Sequence, residues 1–110
     1  MSERIRRYEE TLERRFRKSV RGAMDRGLEW TITWEEFEAL AQRPCHYCES
    51  ASPRTGSGLD RVDNRRGYTL DNVLPCCGRC NFIRGKELSV DEMLVVGAVL
   101  RGFARRGLAA

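Results

Sequence analysis

Four cysteines in two Cys-x-x-Cys pairs, Cys45 with Cys48 and Cys77 with Cys80, are the residues whose type and spacing point most directly to chemistry. Thiolates are soft ligands, and two such pairs separated by a polar stretch suit one tetrahedral four-cysteine zinc site. The metal would tie together the ends of the intervening segment. That segment contains Gly58-Leu59-Asp60-Arg61-Val62-Asp63-Asn64 and then Gly67-Tyr68-Thr69-Leu70-Asp71-Asn72-Val73, and has the character of an active site. His46, the single histidine, lies inside the first pair and reads as a knuckle residue, because four thiolates already complete the tetrahedron. Cys76 is left over and reads as a small buried side chain.

Taken in order, Asp60-Arg61, Asn72, the second cysteine pair and Asn81 resemble the zinc-containing branch of the HNH endonucleases, the ββα-metal or His-Me finger nucleases. The resemblance covers roughly residues 31 to 88, from Thr33-Trp34-Glu35-Glu36-Phe37 to Arg84-Gly85-Lys86. It looks closest to a phage-type subgroup in which Asp-Arg-x-Asp-Asn replaces the usual Asp-His. It implies a metal-dependent DNA endonuclease or nickase that hydrolyses phosphodiester bonds in double-stranded DNA, with zinc as structure and Mg²⁺ or Mn²⁺ as catalyst. A monomer would most simply nick, whereas a homodimer could cut both strands.

The resemblance also assigns roles. Asp60 and Asn81 offer hard oxygen ligands for the catalytic ion and leave its other positions to water and phosphate. Asn72 matches the residue that holds the hairpin through backbone hydrogen bonds. Arg61 stands where the family's catalytic histidine usually does; an always-protonated guanidinium cannot be a base, so its task would be to clamp the scissile phosphate. A branch of HNH-like restriction enzymes with the same arginine uses a nearby tyrosine, which makes Tyr68 the candidate base. Two alternatives stay open: Tyr68 packs on the second strand, or no protein base is used. Asp63 and Asn64 fit local turn bonding, with Asp63 as a second metal ligand the alternative. Arg65, Arg66, Arg84 and Lys86 would touch flanking phosphates. The competing functional readings are a catalytically degenerate HNH-fold module that binds DNA, and a zinc ribbon for protein interaction.

These residues need elements to position them. Ile5, Tyr8, Leu12, Phe16 and Val20 recur at spacings of three and four, which predicts an amphipathic helix over about residues 3–26, stopped by Gly27. Thr33 with Glu36 is a capping box that predicts a helix from Trp34 to about Gln42, burying Trp34, Phe37, Leu40 and Ala41 and halted by Pro44. Residues 49–58 have turn composition. A strand is expected at about Leu59–Val62, a turn at residues 63–67 with Gly67 at positive φ, and a second extended segment from Tyr68 toward Leu74. A short helix from about Cys77 to Arg84 completes a ββα unit. Ser89 with Glu92 is a second capping box, predicting a last helix to about Arg106 that closes the core against the helix at 34–42. The expected fold class is therefore α+β, a small zinc-stapled unit with flanking helices: residues 1–28 form the basic helix and 29–110 the nuclease domain.

A chain of 110 residues has room for one small core, so a staple is expected. Structural zinc contributes about 10–16 kcal/mol of apparent binding free energy in small domains. Five cysteines, an odd number, and an opening Met-Ser-Glu-Arg argue against secretion and a disulfide framework. A reducing cytoplasm fits, that of the host if the gene is phage-borne. No apolar run approaches the ~20 residues of a membrane span. The net charge of +4 is concentrated at one end: residues 1–26 carry nine Lys or Arg against five acids, and the rest carry eleven of each. That basic stripe could lie along a phosphate backbone or form a solvated helix face.

Overall fold

A computed structural model describes residues 2–53 and 56–107, apart from the side chains of Ile5, Tyr8 and Glu9. The expected apolar positions Ile5 and Tyr8, and part of the 49–58 loop, thus lie outside the described residues. The fold is α+β, in the order α1 (Glu3–Asp25), α2 (Trp34–Ala41), β1 (Gly58–Arg61), β2 (Val73–Cys76), α3 (Gly78–Arg84) and α4 (Val90–Arg105). Among the described residues no helix is long and apolar enough to cross a membrane.

Strands β1 and β2 pair antiparallel, with Gly58 opposite Cys76 and Arg61 opposite Val73. Because successive side chains alternate, the two faces of this small sheet serve two cores. Leu59 and Val73 face a cluster built from Leu12 of α1, Phe37, Leu40 and Ala41 of α2, and Ile32. Phe16 of α1 meets Trp30, Trp34 and Phe37 edge-on, with ring centroids 5.7, 5.6 and 5.2 Å away. Leu74 and Cys76 face the other cluster, made of the cysteines, Tyr47 and Met93.

Both capping boxes form. Thr33 Oγ1 accepts from the Glu36 amide at 3.2 Å while Glu36 accepts from the Thr33 amide at 2.9 Å. Ser89 and Glu92 repeat the exchange at 3.1 and 2.8 Å. Helix α1 ends at Gly27, whose φ of 67° lets the Leu28 amide reach back to the Ala23 carbonyl at 2.8 Å.

Three expectations are corrected. The second strand does not begin at Tyr68; residues Leu70–Asn72 form a 3-10 turn, and Tyr68 instead makes an isolated parallel bridge to Trp30. Gly67 lacks a positive φ; a Cβ there would lie 2.4 Å from the Glu29 carbonyl oxygen, so glycine is required by the close approach of the α1–α2 connector. Helix α4 packs over the cysteine knuckle rather than against α2: Met93 is buried among the cysteines, and a Cβ on Gly97 would lie 2.2 Å from the Tyr47 carbonyl oxygen.

Candidate active site and metal centre

The four sulfurs of Cys45, Cys48, Cys77 and Cys80 lie within 4.8 Å of one another. The Cys48 and Cys77 sulfurs are 3.8 Å apart, the edge expected of a tetrahedron with metal–sulfur bonds of about 2.3 Å. Each pair is shaped locally. Cys45 and Cys48 sit on a turn closed by the Glu49 amide on the Cys45 carbonyl and finished by Glu49 at φ 60°. Cys77 caps α3, its sulfur accepting from the Cys80 amide at 3.4 Å. Burial opposes ionisation of Cys48, but hydrogen bonding with the Ser50 hydroxyl and amide, then with Cys80 and Arg79, outweighs it and pulls the thiol down to about 6. Burial, and then the hydrogen bond with Cys77, pushes the Cys80 thiol up. Four thiolates at this spacing repel one another unless a cation sits between them, so the donor set fits zinc.

Burial, and then Cys45 nearby, likewise pushes up the thiol of Cys76, which is buried outside the quartet. His46 is partly buried, its ring edge-on to Tyr47, and its amide donates to the Pro75 carbonyl.

Asp60 and Arg61, neighbours in sequence, point to opposite faces of β1. The Asp60 carboxylate is buried on the α3 side, where its Oδ2 accepts from Tyr47 Oη at 2.5 Å and from Arg84 Nη1 at 2.7 Å. Burial, followed by the bond to Asp60, raises the Tyr47 phenol well above its ordinary value, so it stays a donor. Both bonds engage Oδ2, so a cation at this carboxylate must take Oδ1 or displace Arg84. Asn81 is exposed on α3, one turn before Arg84, which puts the two on neighbouring positions of one helix face. Asp60 and Asn81 both carry hard oxygens, but the carboxylate is buried against Tyr47 and Arg84 while the carboxamide is exposed on α3, and no direct contact joins the two.

Arg84, expected at flanking phosphates, lies elsewhere. Its side chain is 4% exposed, and besides Asp60 it donates to the carbonyls of Arg61, Val62 and Leu88. A guanidinium with this many internal acceptors locks α3 to the end of β1 and offers no surface to a ligand. Lys86, Arg65 and Arg66 are exposed; Arg65 pairs with Asp63 and Arg66 with Asp71.

On the other face, Arg61 and Tyr68 come together. The Arg61 guanidinium lies 5.4 Å from the centre of the Tyr68 ring, and its Nη1 donates to the carbonyls of Asn64 and Arg66 at 2.8 and 2.9 Å. The Tyr68 hydroxyl accepts from Arg26, the residue after α1, at 3.0 Å. Backbone bonds from the Tyr68 amide to Glu29 and from the Thr31 amide to Tyr68 fix the tyrosine against the connector. The loop between them is clamped by Asn72, 1% exposed, which accepts from the Asp63 amide and donates to the carbonyls of Asp63 and Gly67. Asp63 also accepts from the Arg65 guanidinium and, second, from the Arg65 amide, and these bonds hold its carboxyl below the usual range.

Sequence reasoning missed Tyr47, Arg26 and the inward role of Arg84. The signal for Tyr47 was its place inside the first cysteine pair, which fixes it beside whatever the knuckle touches. For Arg26, 42 positions from Tyr68, no local signal exists.

No family model matches the chain. A solved structure of the rare-cutting HNH restriction endonuclease PacI superposes with a TM-score of 0.70 at 30% identity, over 86% of this chain and 80% of that one. The uncharacterized protein R423 of Acanthamoeba polyphaga mimivirus is 40% identical over 79 residues, which is 72% of this chain but 14% of that protein's length.

Proposed function

Because the chain belongs to the HNH endonuclease family, we propose that it is a metal-dependent DNA endonuclease or nickase that hydrolyses phosphodiester bonds in double-stranded DNA. The observation that carries this reading is the buried carboxylate of Asp60, fixed at the end of β1 opposite a helix that presents an exposed carboxamide, Asn81. Asp60 and Asn81 would hold the divalent ion, which when bound supplies charge neutralisation at the phosphate. Tyr47 and Arg84 hold the carboxylate's orientation. Arg61, next to Asp60 at the strand end but on the Tyr68 side of β1, would supply positive charge toward the phosphate, and Asn72 clamps the 63–67 loop whose carbonyls hold the Arg61 guanidinium. Tyr68 is the candidate proton acceptor, with Arg61 and Arg26 beside its ring.

A second reading, a DNA-binding module without catalysis, is favoured by one feature: Arg61 Nη1 is already spent on two loop carbonyls. Nicking of supercoiled plasmid by zinc-loaded protein with Mg²⁺ or Mn²⁺ separates the two. Nicking that Asp60→Asn and Asn81→Ala abolish, with folding intact by circular dichroism, upholds the nuclease. Tyr68→Phe should then slow cleavage by about 10²–10⁴ without weakening DNA binding. A folded protein that shifts DNA in a gel and nicks no plasmid or genomic substrate overturns the catalytic reading.

A further inference from the structure

Among the described residues, helix α1 borders several clefts, of which three differ in charge. One has Arg17 beside Glu13 and Glu38, and a second has Arg17 and Arg21 beside Asp25. The third, about 250 Å³, runs between α1 and β1 to Tyr68; Arg15, Lys18 and Arg26 line it together with Leu59, and no carboxylate does. Resting on the nuclease reading above, we infer that this cleft is a phosphate track that seats the DNA strand leaving the candidate active site.

The spacing supports the inference. Positions 15, 18, 22 and 26 lie on one face of an α-helix, so the three cations point into the same trough. From Arg15 to Asp25 the helix rises about 15 Å at 1.5 Å per residue and Arg26 follows in the closing turn, a length sufficient for several phosphates of one strand, which advance about 3.4 Å each along a duplex. The ends of the track are held. Arg15 Nη1 donates to the Gly56 carbonyl at 2.6 Å, and Arg26 bridges the Gly22 carbonyl and the Tyr68 hydroxyl, both at 3.0 Å. Tyr68 therefore belongs to both the cleft and the cluster around Arg61. The floor is open at Gly22, where an added Cβ would find its nearest neighbour, Arg26 Nη2, 4.0 Å away. Glycine inside a helix costs roughly 1 kcal/mol relative to alanine, and a side chain here would project toward the trough.

The test is the salt dependence of binding to a 30-base-pair duplex, read by fluorescence anisotropy with zinc-loaded protein and no other divalent ion. A lost phosphate contact reduces the slope of log K against log salt by about 0.9, which at 0.15 M salt corresponds to about fivefold weaker binding. Lys18→Gln and Arg26→Gln should each show this loss. Arg17→Gln and Arg21→Gln, which remove the same charge from other faces of α1, should change the slope by much less. Gly22→Leu should weaken binding while leaving the melting temperature at or above that of the unmodified protein. Equal slopes for the two pairs of charge variants, or full affinity in Gly22→Leu, overturns the track. Because the slope is read without catalytic ion, an absent cleft effect in protein that still nicks plasmid overturns the track alone. A clear cleft effect in protein that does not nick upholds the track and overturns the catalytic reading.

Discussion

Removing either partner of the Asp60–Arg84 pair should cost far more than removing any surface pair, and the size follows from the surroundings. Both side chains are nearly inaccessible, 6% and 4% exposed, and share one short contact. Breaking such a pair strands a buried charge, at about 3–5 kcal/mol. In Asp60→Ala the guanidinium keeps three backbone carbonyls as acceptors, so the loss should sit near the lower end, about 3 kcal/mol. In Arg84→Met those carbonyls lose their donor and the carboxylate keeps only Tyr47, so the loss should approach the upper end, about 5 kcal/mol. Against a total stability of about 5–15 kcal/mol for a small domain, either change is severe. The double substitution should recover about 2 kcal/mol relative to the sum of the singles. Urea unfolding of zinc-loaded protein, followed by the fluorescence of Trp30 and Trp34, measures all three. The exposed Arg66–Asp71 pair serves as the internal reference and should show no resolvable coupling, because solvent screens it. Should the Asp60–Arg84 cycle couple by under about 0.5 kcal/mol, the argument that this pair locks α3 to β1 fails.

Gly97→Ala should destabilise by roughly 3 kcal/mol, because the new methyl would overlap the Tyr47 backbone, which cannot yield as a side chain can; a melting temperature unchanged by the substitution would show that α4 does not sit where described. Chelation of zinc should abolish cooperative unfolding of the cysteine-side core, an effect visible in calorimetry and reversed by re-addition of the metal. The pH dependence has a definite sign. The Cys48 thiol ionises more readily in the folded chain, at about 6 rather than 9.0, so its contribution is fully present above pH 9, declines from there, and is lost as the pH falls through 6. Zinc release in a chromophoric chelator assay should therefore rise as the pH falls, because protons compete with the metal for the thiolates. Asn72→Ala, which removes three hydrogen bonds to the 63–67 loop, should cost about 2–3 kcal/mol and raise amide exchange across that loop.

By itself the sequence determined whatever rests on local spacing. Two Cys-x-x-Cys pairs fix the ligand set because each knuckle is a short turn. Capping boxes mark the starts of α2 and α4 because the bonds they make lie within four residues, and of the expected α1 stripe Leu12 is buried with Phe16 and Val20 partly so. The order Asp60, Asn72, Asn81 identified the family because each residue hangs from one small ββα unit. Tertiary structure alone decided the rest. Asp60 and Arg61 face opposite ways because a strand alternates its side chains, and only the packing of α3 and the knuckle shows that Asp60 meets Tyr47 and Arg84. Arg84 looked like a surface cation because charge says nothing about burial until acceptors are counted around it. Gly67 and Gly97 are explained by backbones that approach them from distant segments. Arg26 reaches Tyr68 across 42 residues, a contact made by the docking of α1 and by nothing written beside either residue.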